Sequence, residues 1–315
     1  MAKTKEISRR IKSISNTKKI TKAMEMVAAA KMRKATEAVL KTRTYANLSW
    51  ETILNLSKLA EAKNEALHPL LVKRPKVERV ALILITSNRG LCGGFNAAII
   101  NKAKDSIKKH NIPTDLILLG KKGAVLRHYG YEVIADFPKS DLIIGAKETG
   151  PVARLVINDF LAGKYDKVML AYTDFVSAVK QIPRVKQLLP VEMTSDDNLG
   201  VVGGDASVGS SLKFIEEKAK KHSEKDGMIF EYTFEPSPAE VLNLMVPKLV
   251  EVQLYQALLE SNASEHSARM TSMHQATEAA SDMVSELTLY YNKARQASIT
   301  AEIAEISAGA NAQSE

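Results

Sequence analysis

The sequence predicts an α/β chain: a small domain with a mostly parallel sheet, joined to a long antiparallel coiled coil that the N- and C-terminal helices form together. Three observations predict it. Thr4 to Lys63 contain neither Pro nor Gly, residues 76–236 alternate short apolar runs with helical segments, and from Met245 onward apolar residues recur in steps of four and three.

The first element is a helix of nearly 60 residues, or roughly 90 Å at 1.5 Å per residue. Its apolar residues run through Ile7, Ile11 and Ile14, then Ile20, Met24 and Val27, then Met32, Ala35 and Val39, and later Ile53, Leu56 and Ala60. The stripe jumps after Ile14 and again after Val27, so residues 18 to 34 offer more than one usable face. His68-Pro69 and Arg74-Pro75 end the helix. A basic, acid-poor start also resembles an organelle transit peptide, but a helical pattern that continues past residue 55 argues against a cleaved address.

The middle segment reads as a strand over Val80–Thr86, a helix over Asn96–His110, strands over Leu116–Leu119 and Val133–Ala135, a helix over Thr149–Leu161 and a strand over Val168–Tyr172. Phe175–Leu188 and Met228–Phe234 are expected to add edge strands. Ser195–Asp226, rich in Gly, Ser and charge, reads as an insertion with one short helix at Ser211–Lys221. The domains are thus 1–63, 76–236 with the insertion 195–226, and 237–310.

The last helix opens at Ser237-Pro238-Ala239-Glu240, a capping box with Pro at the first helical position. Alternating steps of four and three from Met245 to Glu305 visit 18 positions, 13 of them apolar where about eight would follow from a 45% apolar chain. That excess is a heptad seam. Met270, Met273, Val284, Leu287 and Tyr291 lie on it, and Ile7, Ile11 and Ile14 supply the facing seam on the first helix. Pro247 is expected to bend the last helix near its start. Helices of this length need a face to bury against. The economical solution is an antiparallel pair rising from the middle domain, with the longer C-terminal helix overhanging by roughly 15 to 18 Å.

Composition narrows the function classes. A chain of 315 residues, 45% apolar, can build a sizeable core, and a single Cys excludes internal disulfides and Cys-rich zinc sites and fits a reducing compartment. No apolar run reaches the roughly 18 to 20 residues that cross a bilayer. The net charge is +8, yet residues 1–45 hold 13 Lys and Arg against three acidic residues, so the basic character is concentrated in the first helix. A nucleic-acid partner is one reading of that charge. No aromatic residue precedes Tyr45, so base stacking is not provided for.

Nucleotide motifs fail on inspection. Gly90-Leu91-Cys92-Gly93-Gly94 follows a strand and opens a helix, but its spacing departs from G-x-G-x-x-G and reads as a tight turn, with Cys92 a small buried residue rather than a reactive thiol. Residues 204–211, GDASVGSS, approach a phosphate loop but carry Ser where Lys must stand. His266 and His274 are two turns apart and read as seam or surface residues rather than metal ligands. No cofactor is expected.

The tip of the last helix is more informative. Gln296–Glu315 contain no Lys or Arg, and Ala297, Ile299, Ala301, Ile303, Ala304, Ile306, Ala308 and Ala310 form a slim rod apolar around much of its circumference. Such a helix is buried in something, and nothing else in the chain reaches it, so another protein must cover it.

At this point IKSISNTKKITKAMEMVAAAKMRKA, TSNRGLCGGFN, the LLP at Leu188–Pro190 and SELTLYYNKARQASITAEIAEI resemble the gamma subunit of F-type ATP synthases, the central rotor stalk, in order along nearly the whole chain. The resemblance implies a non-catalytic subunit, one copy per complex, whose helices turn inside three alpha and three beta subunits. It also implies that the α/β domain meets the epsilon subunit and the ring of c subunits. Such a chain couples proton-driven rotation to the beta-subunit catalytic sites and regulates ATPase activity and proton flow. It would be peripheral to the membrane, on the cytoplasmic face of the bacterial cell membrane, with no nucleic acid involved. By the same resemblance Lys18, Lys22, Met24, Lys31 and Arg33 lie beside acidic loops of beta, Arg295, Gln296 and Thr300 contact its catch loops, and Ile299, Ile303, Ile306 and Ala310 belong to an apolar bearing. Two departures stand out. Asn88 replaces the usual Asp of T-x-D-R-G, and the insertion lacks the cysteine pair of photosynthetic forms, which removes a dithiol switch.

Overall fold

The computed structural model describes residues 2–62, 68–140, 148–191 and 237–313. The insertion 195–226, its expected helix at 211–221 and the strand expected at 228–234 lie outside the described residues, as does the near-miss phosphate loop at 204–211. The chain forms two compact units, residues 1–29 with 269–315 and residues 30–268.

In the second unit β1 (Val80–Ile85), α2 (Phe95–His110), β2 (Thr114–Leu119), a 3-10 segment (Lys121–Tyr129), β3 (Val133–Phe137), α3 (Gly150–Leu161), β4 (Lys167–Phe175) and β5 (Gln181–Leu189) follow in order. They lie between α1 (Ala2–Ala62) and α4 (Pro238–Gln313) in the chain. The sheet order is β3-β2-β1-β4-β5, parallel except for the β4–β5 pair. Within the segment expected to add to the sheet edge over 175–188, Phe175 ends β4, the chain turns back through Ser177–Lys180, and β5 forms the antiparallel edge strand. Pro183 within β5 lacks an N–H, which suits a strand at the sheet edge. The 3-10 segment was not legible from the sequence, since its apolar residues Val125 and Leu126 show neither period.

β1 is buried along its whole length because both sheet faces are covered. Leu82, Leu84, Leu116 and Leu118 face α2, packing on Ile99, Ile100 and Ala103. Ala81, Ile83, Ile85, Ile117, Leu119 and Leu170 face α3 and the first part of α4, where Val156, Phe160, Leu249, Leu254 and Leu258 meet them. Leu70 and Leu71 join this second layer. α4 begins as the sequence indicates, with the Ser237 hydroxyl accepting the Glu240 N–H at 3.3 Å.

Charged pairs close the end of the sheet where β1 and β2 begin. Asp115 takes the Arg79 guanidinium at 2.9 Å and the Tyr165 hydroxyl at 2.8 Å, and burial followed by that hydrogen bond pushes the Tyr165 phenol up to about 12. Asp166 accepts the backbone N–H of Glu78 at 2.8 Å and of Arg79 at 3.1 Å, and pairs with Arg74 at 3.1 Å.

Candidate functional site

In the first unit, α1 and α4 are antiparallel. Lys18 donates to the Ser281 hydroxyl at 2.8 Å, Thr277 donates to the Thr21 hydroxyl at 2.8 Å, and His274 Nδ1 lies 3.3 Å from Glu25 Oε1, so rising numbers on α1 meet falling numbers on α4. On α1 the residues withdrawn from solvent include Thr4, Ile7, Ile11, Ile14, Lys18, Thr21, Glu25 and Ala28, an unbroken alternation of three and four. On α4 Met270, Met273, Thr277, Ala280, Val284, Leu287, Tyr291, Ala294 and Ser298 keep the same alternation.

The apparent jump in the α1 stripe thus has a physical explanation. The contact line continues through polar and small residues, while the apolar ones swing outward: Ile20, Met26 and Val27 are 60%, 58% and 56% exposed. On α4 Met283, Leu289 and Tyr290 are also exposed large apolar side chains. All six lie on the helix pair of the first unit. Of these six, sequence reasoning singled out Ile20 and Val27 only as part of the stripe. The available signal for the rest was their position off the four-three spacing.

The residues singled out by resemblance fall in different surroundings. Lys18 is half-buried with its ammonium on Ser281, and Met24 is half-buried. Lys22 is exposed and bonds both carboxylate oxygens of Glu25 at 3.0 Å. That hydrogen bond, with the Lys22 charge and nearby His274, holds the Glu25 carboxyl below its usual value. Lys31 is half-buried and Arg33 exposed, both within the second unit. Arg295, Gln296 and Thr300 are exposed, and the Thr300 hydroxyl caps the Gln296 carbonyl of its own helix at 3.0 Å.

Burial on α4 stops at Ser298. At the register of the pair, the first residues of α1 lie opposite residues 294–298. Every described side chain beyond is exposed, including Ile299, Ile303, Ile306 and Ala310, with the three isoleucines at 46%, 59% and 72%.

In the second unit the glycine turn is tied to itself. Leu91 and Gly93 take positive φ (62° and 53°), the Ser87 N–H donates to Asn96 Oδ1 at 3.0 Å, and Cys92 is buried with its sulfur 3.3 Å from Asn96 Nδ2. Asn88, in the position of the expected Asp, donates its amide to the Lys139 carbonyl. The strand order reverses between β1 and β4, and in parallel sheets ligands bind at the carboxyl ends of the strands at such a point. Here α4 occupies that place. Ser264 donates to the Thr173 carbonyl at 3.2 Å, Glu265 takes the Lys139 ammonium at 2.7 Å, and Lys139 also donates to the Thr86 carbonyl at 3.1 Å. These bonds hold α4 to the carboxyl ends of β1 and β4. Among the described residues, no three His, Cys, Asp or Glu side chains gather as they would around a metal ion. His266 is buried, and His274 lies between Glu25 and Glu278.

Comparison with known proteins agrees with this architecture. The ATP synthase family profile matches residues 3–313. The ATP synthase gamma chain of Dehalococcoides mccartyi is 40% identical over 313 residues, 99% of each chain. That of Pelotomaculum thermopropionicum is 42% identical over 314 residues, again 99% of each. Among solved structures, a chain in the Euglena gracilis mitochondrial ATP synthase, in a cryo-EM structure of OSCP, F1 and c-ring, shares the fold at 18% identity. Its TM-score is 0.62, covering 99% of this chain and 95% of that one. A family profile that matches residues 3–313, and gamma-chain relatives 40% and 42% identical over 99% of each chain, place this chain in the ATP synthase gamma chain family.

Proposed function

We propose that this chain is the turning shaft of an F-type ATP synthase, a rotor subunit with no catalytic site of its own that couples c-ring rotation to the conformational cycling of the beta subunits. The end of α4 carries the reading. A helix whose last described turns are apolar, small and uncovered by its own chain needs a sleeve. A sleeve that must let it turn can offer neither deep pockets nor fixed ion pairs. Ile299, Ile303, Ile306 and Ala310 suit that bearing, because small side chains without a cation give no single angle a deep energy minimum.

Torque has to be delivered elsewhere. Lys22 and Arg33 on α1, with Lys31, and Arg295, Gln296 and Thr300 on α4 supply charge and hydrogen bonding for beta-subunit loops. Lys18 and Met24 support that face from within. Each exposed pair contributes only about 0 to 1 kcal/mol, so contacts can be exchanged as the shaft turns. The outward Ile20, Met26, Val27, Met283, Leu289 and Tyr290 add an asymmetric apolar surface to press on each beta subunit in turn. The seam Ile7, Ile11, Ile14, Met270, Met273, Val284, Leu287 and Tyr291 keeps the two helices together. Pressing by one face shifts each beta subunit between open and closed populations, which regulates ATPase activity and proton flow.

On this reading one copy sits among three alpha and three beta subunits, with the α/β domain against the epsilon subunit and the c-ring. The complex is peripheral at the cytoplasmic face of a bacterial membrane; no described helix of this chain is long and apolar enough to cross one. The test is assembly. Coexpressed with alpha and beta subunits, the chain is expected to co-purify with both in an ATP-hydrolysing complex, and to do so without its last 12 residues. A chain that stays unassembled, or that binds ATP or DNA by itself in equilibrium dialysis, contradicts the reading.

A further inference from the structure

Between Gln253 and Ser267 helix α4 is almost wholly buried, yet much of it is polar: Gln253, Gln256, Glu260, Ser261, Asn262, Ser264, Glu265, His266 and Ser267 are all below 9% exposure. A helix held only by its apolar face can slide or roll on a sheet, since apolar contact has no preferred direction. Hydrogen bonds and ion pairs are directional and fix an angle.

The polar stretch is fastened to three separate parts of the sheet. Lys139, 2% exposed at its side chain, bridges Glu265, 4% exposed, to the carbonyl of Thr86 at the end of β1. Ser264 is fixed to the β4 carbonyl of Thr173 at 3.2 Å. Ser267 donates to the Ala178 carbonyl in the β4–β5 turn at 2.6 Å and accepts Gln181 Nε2 at 3.4 Å. These bonds span little more than one helical turn. They follow directly on the apolar contact made by Leu249, Leu254 and Leu258.

A buried ion pair of this kind is weak evidence for stability, because desolvation can exceed the Coulombic gain. We infer that the Lys139–Glu265 pair, with Ser264 and Ser267, is the torsional key of the rotor: positioning residues that lock the rotation angle of α4 against the sheet, so that torque entering the α/β domain is passed to the helix. This inference rests on the rotor reading and names where within the second unit the load is carried.

The physics supplies a test that separates locking from folding. Replacing both members of a buried pair by apolar residues of similar volume is commonly neutral or stabilising, whereas removing one leaves an unpaired buried charge. The double variant Lys139→Met/Glu265→Leu is therefore expected to keep the melting temperature, assembly and ATPase rate of the complex while losing the lock. In vesicles carrying the whole synthase, ATP hydrolysis and proton pumping are measured together. The expected result is at least a two-fold fall in protons pumped per ATP as the opposing proton gradient builds.

Should the double variant fail to assemble, Ser264→Ala/Ser267→Ala removes two uncharged fasteners without stranding a charge, and it is expected to lower the same ratio. A wild-type ratio in a folded, assembled variant of either kind overturns the inference. The unmodified chain, run in parallel, reports on the rotor reading alone: if it supports no pumping, that reading fails and not merely the key.

Discussion

Asp166 shows how much one carboxylate can organise. It takes the Glu78 and Arg79 N–H groups and the Arg74 guanidinium, and the Glu78 amide first, with Arg79 and Arg74, holds its carboxyl below the usual range. A carboxyl depressed in the folded state adds stability that is present above its unfolded value of about 3.9 and is lost as pH falls through the folded value. Asp166→Asn is expected to cost about 1–2 kcal/mol at pH 7, and the difference from wild type should shrink below about pH 4. Denaturant melts at both pH values check this; an equal deficit at each would contradict it. Gly120 sets a steric limit instead. At φ +97°, a Cβ would come within 2.3 Å of the Thr86 carbonyl oxygen, which also receives Lys139. Gly120→Ala is expected to lower stability by about 2–4 kcal/mol, read from the midpoint of the same melts.

At the scale of elements, the sheet and the helix pair were legible for different reasons. β1 and β2 are short apolar runs bounded by turn residues, and such runs have few alternatives in an α/β pattern. The α4 seam was legible because Met273, Val284, Leu287 and Tyr291 keep the four-three spacing through a stretch free of Gly and Pro. The α1 seam was not, between Ile14 and Met32. Hydropathy finds Ile20 and Val27, but the contact line passes through Lys18, Thr21 and Glu25, whose burial is made by Ser281, Thr277 and His274 some 250 residues away. The buried polar stretch of α4 escaped for the same reason: Glu265 and His266 look like surface residues until the partner element is in place. The tip offers a clean test of the element scale. Because no described side chain beyond Ser298 is covered by its own chain, truncation after Ser298 is expected to leave the melting temperature of the isolated chain within about 1 °C. Leu287→Asp, which puts a charge into the seam, is expected to lower the helical content of the first unit, seen by circular dichroism.

For the molecule as a whole, the polar character of the first unit's pairing decides what kind of machine part it is. Opposite Thr21, Lys18 and Glu25 the helices meet through hydroxyl, ammonium and carboxylate rather than interlocked leucines, and a pairing of this kind could in principle shear during each catalytic step. If the two helices turn as one body, a covalent bond between them costs nothing in function. Thr21 and Thr277 present hydroxyl oxygens 2.8 Å apart, which places Cys side chains at both positions within reach of a disulfide. Cys92 is buried, and Cys92→Ser removes it as a competitor. In the assembled synthase, Cys92→Ser/Thr21→Cys/Thr277→Cys is expected to retain at least about 80% of its ATPase rate after oxidation, since closing a bond inside a rigid body removes no required motion. Reduction should return the same rate. A rate that falls several-fold on oxidation and recovers on reduction would mean that the helices slide past one another during turnover, and the shaft would have to be redescribed as a pair of moving rods.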